Sequence, residues 1–250
     1  MMMKKYQWYI AFIGLTLSMT SFISDSKKLT IYLIGDSTLA VKSASAFPET
    51  GWGMPFANFF SNRVSVDNRA KNGRSTKTFI SENLWAPVVS ELKKGDYVMI
   101  QFGHNDEVKT KASYTSEADF VKNLSKFVLE SRAKGAIPIL ITPVARRSFD
   151  TDGKVIETHQ VYADLVRELA KSAAVPLIDL DLKSQALLQQ YGPEQSKLLF
   201  NHLEPGAHPN YPEGKKDDTH FNELGAREMA QLVLKEMRAL DLPVLTYLVK

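Results

Sequence analysis

Leu29-Thr30-Ile31-Tyr32-Leu33-Ile34 runs directly into Gly35-Asp36-Ser37-Thr38. A short, β-rich apolar run that ends on a glycine and small polar residues reads as a buried strand with a loop at its C-terminal end. The pattern recurs along the chain. Val64–Asn68 alternates as a second strand and is followed by Asn72-Gly73-Arg74-Ser75. Tyr97–Phe102 is a third and leads into Gly103-His104-Asn105-Asp106. Ile137–Thr142 and Val175–Asp179 complete a set of five, with Pro138 and Pro176 near the starts of their runs, where a missing donor is tolerated.

Helical spacing fills the intervals. One stripe holds Phe120, Leu124, Phe127, Val128 and Ser131; a second Val161, Leu165, Val166 and Leu169; a third Leu224, Met229, Leu232, Val233 and Met237. Ser116-Glu117-Ala118-Asp119 suits a helix entry and Gly135 its exit. Strand and helix alternate throughout, which predicts an α/β fold: a parallel sheet covered on both faces, in one domain. With three prolines and two glycines, residues 201–216 are expected to form neither helix nor strand.

The polar clusters carry the chemistry. Ser37 stands where open α/β sheets collect ligands, although Asp36 and Ser37 also suit a simple cap or turn. A serine hydroxyl is a poor nucleophile at neutral pH and needs a base. His220 is the candidate base, just before an expected helix over Asn222–Leu240. Asp217, three residues earlier, can reach Nδ1 and leave Nε2 free; Asp218 is a competing orienter. The amides of Ser37 and Gly73 and the side-chain amide of Asn105 are candidate oxyanion donors, each worth roughly 3–4 kcal/mol in a transition state. Taken singly, Gly73 also fits a left-handed turn and Asn105 a loop cap. The histidines and aspartates lack the spacing of a zinc-binding helix, so no metal is expected.

Composition is ordinary for a globular protein: 250 residues, 44% hydrophobic, 24% charged, net charge +3. Nothing in it calls for nucleic acid. Lys4 and Lys5 precede an apolar stretch from Trp8 to about Leu17 and a hydroxyl-rich segment to Ser24. This is the layout of a secretory signal peptide over residues 1–24, shorter than the roughly 20 apolar residues of a membrane span. Residues 25–250 then form the mature domain, exported to the periplasm or medium and free of the membrane once the signal is cleaved; an uncleaved N-terminal anchor is the alternative, since no clear Ala-x-Ala cleavage site is visible. The chain has no cysteine, so disulfides and lipid attachment through cysteine are excluded.

The blocks Gly-Asp-Ser, Asn-Gly-Arg-Ser, Gly-His-Asn-Asp and Asp-x-x-His resemble those of the SGNH, or GDSL-type, hydrolases. The phrases GDYVMIQFGHND (residues 95–106) and NYPEGKKDDTHF (residues 210–221) look like the rhamnogalacturonan acetylesterase branch, carbohydrate esterase family 12. The resemblance runs from about Leu29 to Leu240. It implies a three-layer α/β/α, flavodoxin-like fold with a five-stranded parallel sheet. It further implies Ser37, His220 and Asp217 as a catalytic triad, Ser37, Gly73 and Asn105 as the oxyanion hole, and no cofactor. One departure is mild: Ser37 is followed by Thr38-Leu39 rather than directly by leucine.

On that resemblance the expected activity is removal of O-acetyl groups from an acetylated polysaccharide, pectic rhamnogalacturonan first. Acetylated xylan or longer acyl esters are the alternatives, and a non-catalytic glycan binder is a third that needs no nucleophile. His104 and Asp106 flank Asn105 and are candidates to orient its loop or to touch substrate. Trp52 is a candidate to stack on a sugar, Trp85 to pack. Arg74 and Arg146-Arg147 are candidates to meet uronate carboxylates. His202 and His208 lie in the long loop. Oligomeric state leaves no mark on the sequence.

Overall fold

The computed structural model describes residues 28–249; the segment read as a signal peptide, 1–24, lies outside them. In chain order the elements are β1 (Leu29–Gly35), α1 (Gly53–Phe56), β2 (Val64–Asn68), α2 (Thr76–Ser81), α3 (Trp85–Glu91), β3 (Tyr97–Gln101), α4 (Glu117–Ala133), β4 (Ile137–Ile141), α5 (Gln160–Ser172), β5 (Leu177–Ile178), α6 (Leu180–Gln195) and α7 (Glu223–Ala239). The five strands form one sheet in the order β2-β1-β3-β4-β5. Every pairing is parallel. This is the expected five-stranded α/β/α sandwich with flavodoxin-like order.

Alternation along the strands divides the core in two. Ile31 and Leu33 of β1 join Met99, Ile139 and Ile141 on one face, against Trp52, Phe56 and the α7 residues Met229, Val233 and Met237. Tyr32 and Ile34 point the other way, with Val98, Ile100 and Leu140, onto Phe79, Trp85, Phe120, Phe127, Tyr162 and Val166. Met229, Val233 and Met237 are wholly shielded from solvent. At roughly 1.5–3 kcal/mol for each buried side chain, packing rather than propensity holds α7 in place.

Several boundaries shift from their expected places. β5 is only two residues long, and Asp179 caps α6 instead of extending the strand. Val161 and Leu224, assigned from sequence to buried stripes, are 51% and 46% exposed. On α5 the inward face is Tyr162, Ala163, Val166, Leu169 and Ala170, one step round the helix. On α7 it includes the small residues Gly225, Ala226 and Ala230, invisible to a search for bulky apolar positions. The loop at 201–216 holds no helix or strand. It is tied across by Asn210 Nδ2, which donates to the carbonyls of Ala44 and Phe47, and by Tyr211 OH, which donates to Ala46.

α7 owes its seat to Gly225. A Cβ there would lie 1.9 Å from the Leu199 carbonyl oxygen. Alanine is the better helix former by about 1 kcal/mol, yet Gly225→Ala must push backbone against backbone. We expect a net destabilisation of about 1–3 kcal/mol in urea unfolding; a stabilised variant would contradict the close approach.

Candidate active site

In an open parallel sheet the loops after neighbouring strands leave the same edge, and a crevice opens where the strand order reverses. Here the reversal falls between β1 and β3. The Ser37 turn follows β1, the Gly73 loop follows β2 and the Asn105 loop follows β3, so three distant segments meet at one edge. The fourth, Asp217–His220, arrives just ahead of α7. Thr50 N–H donates to Phe221 O, and Asn201 N–H to His220 O, both at 2.8–2.9 Å, which fixes its path.

Ser37 Oγ lies 2.9 Å from His220 Nε2. His220 Nδ1 lies 2.9 Å from Asp217 Oδ2. The carboxylate on Nδ1 selects the tautomer with its proton there and an Nε2 lone pair facing the hydroxyl. Asp217 Oδ1 also accepts the backbone N–H groups of Thr219 and His220. Burial opposes ionisation of Asp217, but the hydrogen bonds and charge of His220 outweigh it and hold this carboxyl well below the usual carboxylate range. A depressed folded pKa stabilises the fold above the unfolded value of about 3.9 and loses that stabilisation as pH falls. Asp217→Asn is therefore expected to flatten the acid side of the stability–pH curve below about pH 4; a curve as steep as the parent's would refute the linkage.

The competing carboxylate is occupied elsewhere: Asp218 Oδ1 accepts from Arg147 at 2.7 Å and pairs with His202 Nε2 at 2.8 Å. Three further candidates are corrected. Trp52 is fully buried and cannot stack on a sugar. Its Nε1 donates to Gln101 Oε1, Gln101 Nε2 donates to Thr38 Oγ1, and Thr38 Oγ1 donates to Asp36 Oδ1. That chain of hydrogen bonds braces the Ser37 turn from below. Trp52→Phe would strand the Gln101 oxygen, at an expected cost of about 1–3 kcal/mol in urea unfolding; an unchanged midpoint would show the bond to be dispensable.

His104 and Asp106 are also buried, at 3% and 0% exposure, and do not reach solvent where substrate would lie. Asp106 Oδ1 accepts from Thr76 N and Thr76 Oγ1, joining the Asn105 loop to the first turn of α2. Burial pushes its carboxyl up to about 6 despite those bonds. His104 packs on His159, with ring centroids 4.3 Å apart. Burial, then the neighbouring His159 and Arg146 charges, hold its pKa well below that of a free imidazole.

The arginines are engaged as well. Arg74 pairs with Glu82 and donates to the Asn72 carbonyl at 2.9 Å. Arg146 donates to Thr219 Oγ1 and Arg147 to Asp218. Trp85 packs as expected, with Nε1 on Glu130.

The peptide between Asn72 and Gly73 is planar and trans, so its N–H points opposite the carbonyl that Arg74 holds. Neither this N–H nor that of Ser37 meets an acceptor among the described residues. Gly73 has φ +75°, open to glycine with little strain. Asn105 Nδ2 donates to Arg74 O at 3.1 Å and keeps a second hydrogen. The site thus sets a hydroxyl against a hydrogen-bonded imidazole and leaves amide donors nearby, which is the equipment for acyl transfer. No group of three or more histidine, aspartate or glutamate side chains suited to a metal occurs among the described residues.

Fold and site define an α/β ester hydrolase. Residues 33–228 match the model of the GDSL-like Lipase/Acylhydrolase family; the chain belongs to that family and is a carboxylic ester hydrolase. It is 42% identical over 223 residues to the rhamnogalacturonan acetylesterase RhgT of Bacillus subtilis (strain 168), a match spanning 89% of this chain and 95% of that one. The solved structure of Bacillus subtilis YxiM superposes with a TM-score of 0.75 at 28% identity, over 86% of this chain. This chain spans only 58% of that longer one. An acetylxylan esterase from Geobacillus stearothermophilus shares the fold, with a TM-score of 0.59 at 18% identity over 84% of this chain and 96% of that one.

Proposed function

We propose that the protein is an exported O-acetylesterase of acetylated rhamnogalacturonan that works through an acyl-enzyme on Ser37. The observation that carries the mechanism is the continuous 2.9 Å line from Ser37 Oγ through His220 to Asp217. His220 Nε2 takes the hydroxyl proton as Oγ attacks the acetyl carbonyl; the Ser37 and Gly73 amides and the Asn105 side chain meet the oxyanion. The imidazolium, steadied by Asp217, returns its proton to the departing sugar oxygen and leaves acetyl-Ser37. Water, deprotonated by the same nitrogen, then releases acetate.

The substrate assignment draws on the similarity to the Bacillus subtilis enzyme over nearly the whole of both chains. Export draws on the residue pattern of positions 1–24. Acetate release from acetylated rhamnogalacturonan, acetylated xylan and long-chain aryl esters tests the substrate: the first is expected to be fastest, and equal turnover of long-chain esters would overturn the reading. N-terminal sequencing of the secreted protein tests export, with a start near residue 25 expected. An intact Met1 on protein retained in the cytoplasm would refute it.

A further inference from the structure

Lys42 carries no sequence motif, and its side chain is fully shielded from solvent. Its ammonium makes three short contacts: 2.6 Å to the Ser37 carbonyl, 2.9 Å to Asn72 Oδ1 and 2.7 Å to Glu49 Oε1. Those partners use all three of its hydrogens. Burying a charge in this way is expensive unless it is fully partnered, so the position asks for a purpose beyond solubility. Burial lowers the lysine pKa, and Glu49 opposes the shift.

The contacts explain what the ammonium does. On one side of Ser37, the Asp36 carbonyl accepts from Ala40 N–H at 3.2 Å, which sets the plane holding the Ser37 N–H. On the other side, Lys42 holds the Ser37 carbonyl and so sets the next peptide plane. With both planes fixed, the direction of the Ser37 Cα–Cβ bond is fixed too. The same ammonium grips the side chain of Asn72, whose carbonyl shares a peptide with the Gly73 N–H. Beyond Glu49, Lys215 lies 3.6 Å from Glu49 Oε2 and 3.4 Å from Asp217 Oδ2, continuing the network to the carboxylate on His220.

We propose that Lys42 is a positioning residue that locks the β1 turn to the β2 loop, aiming Ser37 Oγ and registering the Ser37 and Gly73 amides on one oxyanion. This rests on the reading of Ser37 as the nucleophile. Removing Lys42 alone would leave the largely buried Glu49 with only the longer Lys215 contact, so the test uses Lys42→Met/Glu49→Gln, which removes both charges of the short pair together. Turnover of a small aryl acetate is measured with the thermal midpoint and with inhibition by methylboronic acid, which forms a tetrahedral adduct on a serine, and by acetate, which does not.

The folded double variant is expected to lose about 10²-fold in kcat with KM within about twofold. Boronate affinity is expected to fall in step with kcat, and acetate inhibition to stay unchanged. A folded double variant with kcat within about twofold of the parent overturns the proposal. Asn72→Ala, which cuts only the tether to the β2 loop, stands in if the double variant does not fold. It is expected to lower kcat about tenfold at unchanged KM, and an unaltered kcat overturns the proposal as well. Ser37→Ala separates the two readings. Turnover within about tenfold of the parent's in that variant sinks the nucleophile assignment, whereas a Ser37→Ala crippled by orders of magnitude beside a fully active Lys42 variant sinks only the role of Lys42.

Discussion

Ser37→Ala is expected to reduce acetate release by about four to six orders of magnitude while leaving the thermal midpoint close to the parent's. The effect is large because the serine would not merely polarise the ester: it would form the covalent bond that divides one slow hydrolysis into two faster steps. What survives is binding and whatever the oxyanion donors do for direct attack by water. Stability should hardly move, since the one hydrogen bond that Ser37 Oγ makes among the described residues is to His220. His220→Ala should match Ser37→Ala in size, and the double variant should be no worse than either, because the two act as one unit. Additive losses would show two independent contributions and break the mechanism. Circular dichroism beside the acetate assay checks that the chain is folded.

Asp217→Asn is the second large effect, with an expected loss of about 10⁴ in kcat. An asparagine can keep the bonds from the Thr219 and His220 amides through its side-chain oxygen. Its amide nitrogen, however, is a donor and cannot accept from His220 Nδ1–H, so the imidazole turns to the wrong tautomer and offers Ser37 a proton instead of a lone pair. Asp218→Asn is the informative partner. That carboxylate serves Arg147 and His202, with a side chain 48% exposed, and an ion pair so open to water is worth at most about 1 kcal/mol. Its kcat should stay within about threefold of the parent's. Equal losses in the two variants would mean that the adjacent carboxylates share the task.

The neighbouring aspartates show where sequence reading stops. Their identities and the three-residue interval to His220 narrow the orienting group to two. The choice turns on Arg147, seventy-one positions away in the chain, which withdraws Asp218 from the contest. Trp52 is a similar case. An indole beside glycines in a loop-like segment suits a sugar platform as well as a core, and only its packing on Phe56 and its bond to Gln101 decide. The role of Lys42 is not legible in the sequence, because a single lysine in Val-Lys-Ser-Ala-Ser reads as a solvated loop residue. A lysine placed five positions after a candidate nucleophile was the only available hint. On α5 and α7 the stripes place Val166, Leu169, Met229, Val233 and Met237 correctly but wrongly include the exposed Val161 and Leu224 and omit the inward alanines and Gly225, because apolar bulk marks a buried face while small residues leave no such signal.

Sequence alone established the alternation of strand and helix, the polar clusters that close the first three strands, and the residue types of an acyl-transfer site. These are local properties, carried by side-chain periodicity and by chemistry within a few positions. Tertiary structure alone decided the strand order that places the β1 and β3 loops side by side, the carboxylate that reaches His220, and the burial of Trp52, His104, Asp106 and Lys42. Each of those depends on groups far apart in the chain being brought within hydrogen-bonding distance, and that distance is set by how the layers pack.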